Sequence, residues 1–218
     1  KVTRQFEHYL YNKTVQLGKQ AKEQNGTLRC ATDSRGRIVD QHMLSAYRMG
    51  RVTSENAGCG WVACYNALRL LGKPQNAART ILELETAFVF GGKRGTRTVQ
   101  LAPYFLKKGF SVSFSTTKAA AQKKAKGCAA NIIYYVRGDL RTAHFVAFSP
   151  ADGEKDGAPL FCWYNALSAP LLPRAPFEGA VLPCVCFGGD AGDLRTLADL
   201  LAPEKSIFWI VMHITSKT

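Results

Sequence analysis

Cys59 stands between two glycines, Gly58 and Gly60, in the stretch SENAGCGWVACYNALRLLGKP that runs from Ser54 to Pro74. A thiol at the first turn of a helix meets unpaired backbone N–H groups and the positive end of the helix dipole, a setting that favours thiolate. A cysteine nucleophile also needs a base to carry its proton, usually an imidazole steered by a third polar group. Of the four histidines, His8 and His42 read as surface or packing residues, and His213, between Met212 and Ile214, reads as a core or edge residue of a strand. His144 differs, because it stands at the head of a strand in RTAHFVAFSP, behind the small Ala143. The aromatic run FCWYN then ends at Asn165, whose amide can accept an imidazole N–H and fix the tautomer. The chemistry expected of this set is acyl transfer: Cys59 attacks a peptide or amide carbonyl, His144 moves the proton and Asn165 orients the ring. The expected resting state is a thiolate beside an imidazolium, since a nearby positive charge and a helix end both lower a thiol pKa.

These residues need a helix and two strands to bring them together. From 60 to 71 only Asn66 and Arg69 are strongly polar, so this helix is expected to be buried through most of its length, ending at Gly72 with Pro74 beyond it. Phe6, Tyr9, Leu10, Leu17 and Ala21 recur at helical spacing over 4–24, with Asn25-Gly26 as the stop. The stretch 28–50 reads as irregular with a short helical return, and helices are expected over 75–87 and 98–108, separated by the loop Gly91-Gly92-Lys93-Arg94-Gly95. The text then changes period. Strands are expected over 110–115, 128–136, 142–148, 160–165 and 206–215, with helices over 118–126 and 193–201. Helices first and a mainly antiparallel sheet after them make the class α+β. The His144 and Asn165 strand ends meet if 152–159 forms the turn between adjacent antiparallel strands. The loops 149–158 and 169–182 are expected to border a cleft, which Trp61, Trp163 and Tyr164 would wall.

Cys59, His144 and Asn165, in that chain order, resemble the triad of the papain-like cysteine peptidase fold. The helix CGWVACYNALRLLG is similar to that of its bacterial branch, which includes the double-glycine leader peptidases of peptide exporters. The resemblance spans about 54–166. It implies a single papain-like domain over 1–218 with 1–50 as an N-terminal helical extension, a Cys-bearing helix packed on the sheet that carries His and Asn, and a peptide or protein substrate. Such peptidases place a glutamine about six residues ahead of the nucleophile as an oxyanion donor. Here Thr53 stands at that position, so Asn56 and the Cys59 backbone N–H are the expected donors. Trp61 is expected beside the substrate. The same residue set also allows transfer to an amine acceptor, as in transglutaminases, or an inactive member that only binds its peptide.

The chain has 218 residues and 29 Lys and Arg against 16 Asp and Glu, a net charge of +13, which raises the local concentration of anionic partners without defining them. The basic segment 93–126 lacks interleaved aromatics and reader motifs, so nucleic acid is not the expected partner and a solvated face is. Nothing marks a nucleotide cofactor, and none of any kind is expected. Cys59 and Cys64 point away from one another on a helix, and Cys184 and Cys186, though on one strand face, have no second ligand pair at zinc spacing, so no metal is expected. The seven cysteines, an odd number, point to a reducing, cytoplasmic setting. Export after leader removal is the alternative, since the chain starts at Lys1. No apolar run is long enough to cross a membrane.

Overall fold

Ten consecutive residues, Cys59 to Leu68, are buried at the start of the central helix, and the rest of the architecture follows from covering them on every side. The computed structural model describes residues 31–138, 143–166 and 192–217, together with Gln5, Lys13, Gln16, Gly18, Lys19, Gln20 and Asn25. Among these the helices are α1 (Ser54–Ala57), α2 (Cys59–Leu70), α3 (Ala77–Glu83), α4 (Leu101–Lys107), α5 (Lys118–Lys126) and α6 (Leu197–Leu201). The strands are β1 (Arg48–Met49), β2 (Val52–Thr53), β3 (Phe110–Ser115), β4 (Ala130–Val136), β5 (Ala143–Lys155), β6 (Ala158–Tyr164), β7 (Asp193–Arg195) and β8 (Phe208–Ser216). β1 and β2 form a small hairpin, and the other six strands make one antiparallel sheet in the order β3-β8-β4-β5-β6-β7. The fold is α+β, with helices packed on both faces of that sheet. Among the described residues no helix is long and apolar enough to cross a membrane.

Strand alternation sorts the core into two layers. On one face Ile132, Phe145, Ala147, Met212 and Ile214 pack with α2 and α4. On the other, Ile133, Tyr135, Val146, Phe148, Phe161, Trp163 and Val211 pack with Ala121 and Ala125 of α5 and Leu197 and Leu200 of α6. The basic helix α5 therefore sits on the sheet through its alanines alone, leaving Lys118, Lys123, Lys124 and Lys126 exposed.

Helix α2 ends in a Schellman arrangement: Gly72 N–H donates to the Arg69 carbonyl, Lys73 N–H donates to the Leu68 carbonyl, and Gly72 takes a φ of +68°. At the other end the two glycines around Cys59 are set by contact. A Cβ on Gly60 would lie 2.4 Å from Thr96 Oγ1, and one on Gly58 would lie 2.5 Å from the Ser54 carbonyl oxygen. Thr96 is itself buried, and its short side chain has no flexible end to withdraw. Gly60→Ala is therefore expected to destabilise the fold by about 1–3 kcal/mol, the usual range for overpacking. Urea unfolding checks this, and a change below about 0.5 kcal/mol would contradict the packing argument.

Several elements differ from the sequence reading. Residues 193–195 form the edge strand β7, and the helix expected over 193–201 is confined to α6, because Thr196 makes a capping box with Asp199 and starts the helix there. The polar stretch 149–158 is mostly strand, with β5 and β6 joined at a tight turn through Asp156 and Gly157, both at positive φ. A register shift between Pro150 and Glu154 accommodates the irregular pairing. Residues 31–49, expected to belong to an extension, are built into the core: Ile38, Met43, Leu44 and Met49 are each at most 4% exposed. Asn66 explains how. Its side chain, fully buried in α2, accepts from Ile38 N–H and donates to Ile38 C=O, each at 2.8 Å, completing the backbone pairing of a segment that otherwise has only an isolated bridge, Thr32 with Ile38. Gln5, Lys13, Gln16, Gly18, Lys19, Gln20 and Asn25 are helical. Asn25, read as a stop, also exchanges two hydrogen bonds with the Arg48 backbone.

Candidate active site

Strand β5 outruns β6. The last β6 pair is Ala147 with Tyr164, so residues 143–146 are paired only with β4, and the edge facing β6 is open there. The N-terminus of α2 fills the opening: the backbone N–H of Phe145 faces the Cys59 sulfur, and those of Gly60 and Cys59 at the helix start add their positive ends beside it. Cys59 and His144 are thus brought to one place, the thiol meeting the backbone amide of the residue next to the imidazole. Cys59 is 8% exposed.

The His144 ring lies edge-on to Tyr135, its cross-strand partner, with centroids 5.8 Å apart. Its Nε2 is 2.8 Å from the backbone carbonyl of Asn165. A carbonyl can only accept, so the proton is on Nε2 and Nδ1 carries the lone pair, which no hydrogen bond engages among the described residues. The contact of Asn165 with the ring is therefore made by its backbone carbonyl and not, as expected, by its side-chain amide. Asn165 sits just past β6 with φ +65°, a left-handed conformation that asparagine tolerates, and this turns its carbonyl toward the ring. Its side chain faces the opposite way. Asn165 Oδ1 accepts from the Gln41 N–H at 2.8 Å, and Asn165 Nδ2 donates to Gln41 Oε1 at 2.7 Å.

Gln41 was not among the expected site residues. It lies in a short 3-10 turn, Gln41–Met43, and its Nε2 donates to the Glu55 carbonyl in α1 at 3.1 Å. The sequence does carry a signal: Asp40-Gln41-His42 is a polar run bracketed by Ile38-Val39 and Met43-Leu44. Polar residues inside apolar text are buried only when they have partners. The carboxylate of Asp40, fully buried, accepts from the His42 backbone N–H at 2.9 Å and lies 2.8 Å from His42 Nδ1. His42, read as a surface or packing residue, stands close enough to act electrostatically on His144.

The electrostatics run against the expected ion pair. Burial pushes the Cys59 thiol above its ordinary value, and the three N–H groups around the sulfur only partly oppose this. Burial also lowers His144 to about 4; Arg137 and His42 push the same way, while the Asn165 hydrogen bond and Glu204 oppose. Arg137 and Glu204 form an ion pair at 2.6 Å beside the site. The attraction of a helix end, about 0.3–2 kcal/mol, is smaller than the penalty for ionising a group held away from water. Both shifts favour the neutral thiol and the neutral imidazole over the ion pair.

The remaining expected residues fall elsewhere. Trp61 is fully buried, donating its indole N–H to Ser54 Oγ at 3.0 Å, so it is a core residue closed to a substrate. Trp163 stacks on Phe148 at 4.2 Å within the second core layer. The Tyr164 hydroxyl accepts from Arg37 Nη1 at 2.7 Å, and Tyr164 lines a cavity with Arg37, Ser149, Pro150 and Ala151, as expected of a residue walling a cleft beside 149–158. Asn56 is exposed on α1, three residues ahead of Cys59. Cys64 is buried in the core, where desolvation raises its pKa. His213 is buried, with Nδ1 2.7 Å from Asn131 Oδ1 and Nε2 3.0 Å from Ser115 Oγ. His8, Cys30, Cys184, Cys186 and the loop 169–182 lie outside the described residues.

No protein-family model matches the chain, and no curated protein matches it.

Proposed function

We propose that the chain is a papain-like thiol hydrolase acting on a peptide or amide bond. The observation that carries this reading is the meeting of two groups at the open end of β5. Phe145 N–H faces the Cys59 sulfur, and the neighbouring His144 has its Nε2–H committed to the Asn165 carbonyl, leaving Nδ1 free as a base.

In the reaction the Cys59 sulfur attacks the carbonyl carbon as its S–H proton passes to His144 Nδ1. The tetrahedral intermediate collapses, the C–N bond breaks, and the departing amine takes the proton from Nδ1. A water, deprotonated by the same Nδ1, then attacks the thioester; the C–S bond breaks and the proton returns to the sulfur. Because both groups start neutral, proton transfer accompanies attack and no standing thiolate is needed. This also protects the resting sulfur from oxidation, which follows thiolate character.

The test is transfer of an acetyl group from p-nitrophenyl acetate at pH 7, with the acetylated position mapped by peptide mass spectrometry. Acetyl is expected on Cys59 first, with p-nitrophenolate released in step and the adduct turning over by hydrolysis; Cys59→Ser is expected to abolish that adduct. Acetylation of Cys59 no faster than that of the other thiols would reject the reading.

A further inference from the structure

Three contacts tie the segment 37–41 across the sheet and helices. Arg37 reaches the Tyr164 hydroxyl on β6, the Ile38 backbone is held by Asn66 of α2, and Gln41 pairs with Asn165 just beyond β6. Only the last touches a residue that in turn touches His144. We propose that Gln41 is a positioning residue for His144: by pairing with both polar ends of the Asn165 amide, it locks Asn165 in the conformation that presents its carbonyl to the imidazole.

The geometry gives Gln41 that role through three hydrogen bonds. Its own N–H and Oε1 satisfy Asn165 Oδ1 and Nδ2, while its Nε2 is anchored on the Glu55 carbonyl four residues ahead of the nucleophile. Gln41 and Asn165 are 5% and 4% exposed, so water does not readily replace either partner. A residue held at φ +65° against its intrinsic preference needs such support from its surroundings. The chain Glu55, Gln41, Asn165, His144 joins the helix end that delivers the sulfur to the strand end that delivers the base. When it breaks, Asn165 is free to leave the left-handed region, its carbonyl turns away, and the ring loses the contact that fixes Nδ1 as the free nitrogen.

This inference rests on reading Cys59 and His144 as the reacting pair, and its test has a readout independent of that reading. In the 15N-labelled full chain the His144 Nε2–H is expected as a proton exchanging slowly with water, since it is bonded to a carbonyl. Gln41→Ala is expected to lose that resonance to exchange while the chain stays folded. Asn165→Gly keeps the carbonyl and tolerates the backbone angle but has no amide to be held. It is expected to lose the resonance as well, and it carries the test should Gln41→Ala fail to fold. Acetylation of Cys59 is expected to slow at least tenfold in the two variants that lose the proton. A protected Nε2–H that persists in folded Gln41→Ala or Asn165→Gly, or that is missing from the unaltered chain, overturns the inference. A chain that never acetylates Cys59 but shows the expected pattern of protection would remove the hydrolase reading and leave the coupling standing.

Discussion

His144→Ala is expected to slow acetylation of Cys59 by about 10²–10⁴-fold, the range that a positioned general base contributes. The size of the effect follows from the resting charge state. Were the sulfur already an anion, removing the imidazole would mainly alter its pKa; here burial keeps the thiol protonated, so the base must act in the attacking step itself. The same argument predicts the pH profile. An ordinary histidine would give an inflection near 6.5, whereas His144, lowered to about 4 mainly by burial, should leave the rate level through pH 6 and bring it down only as the imidazole protonates near 4. The measurement is the rate of appearance of the acetyl-Cys59 peptide from pH 4 to 8. A loss of less than threefold in His144→Ala would mean that His144 does not carry the thiol proton, and an inflection near 6.5 in the unaltered chain would mean that burial does not lower its imidazole.

The second large effect is on stability in acid. His213, 1% exposed, is held neutral: burial chiefly, and Lys124 in addition, lower it from 6.5 to about 4. Its Nδ1–H donates to Asn131 Oδ1, since the Asn131 amide nitrogen is already directed at the carbonyls of Ala125 and Cys128. Because the folded pKa lies below the unfolded one, the unfolded chain binds the proton first as the pH falls. The stability His213 contributes is full above about 6.5 and is lost as the pH drops through 4, up to about 3 kcal/mol at 1.36 kcal/mol per pKa unit. His144 acts in the same direction over the same window. Glu85 acts in the opposite one, since burial lifts its carboxyl to about 7 and the folded chain takes up that proton first between 7 and 4.5. A net loss is therefore expected, partly offset by Glu85. Urea unfolding at pH 7 and pH 4.5 measures it, and His213→Gln isolates the histidine, narrowing the difference between the two pH values by up to about 3 kcal/mol. An unchanged difference in that variant would show that His213 is not held neutral in the fold.

The class and much of the layout were legible in local text. The apolar run after Cys59 predicts a buried helix because only a helix covered on all sides can be apolar nearly all round, and α2 spans Cys59–Leu70. The alanine-rich stretch 118–126 predicts a helix, and α5 forms there, meeting the core through Ala121 and Ala125. Alternation in 110–115 and the strand formers of 128–136 mark β3 and β4 within two residues of their ends. The segment 31–50 was illegible for a physical reason: its backbone is held by short turns, one isolated bridge and the side chains of Asn66 and Asn165, and such pairing leaves no period.

Sequence alone determined that a cysteine would open a buried helix, that a histidine would head a strand, and that an asparagine would end another, because helix caps, apolar periodicity and turn residues are properties of neighbours along the chain. Tertiary structure decided everything that depends on distance and dielectric. It set the contact of the Cys59 sulfur with Phe145 N–H, the use of the Asn165 carbonyl instead of its amide, the entry of Gln41 and of His42 with Asp40, and the burial of Trp61. It also turned the balance against the expected ion pair, for the pull of a helix end on a thiolate is local and modest, whereas the loss of water around the sulfur comes from every element packed over it.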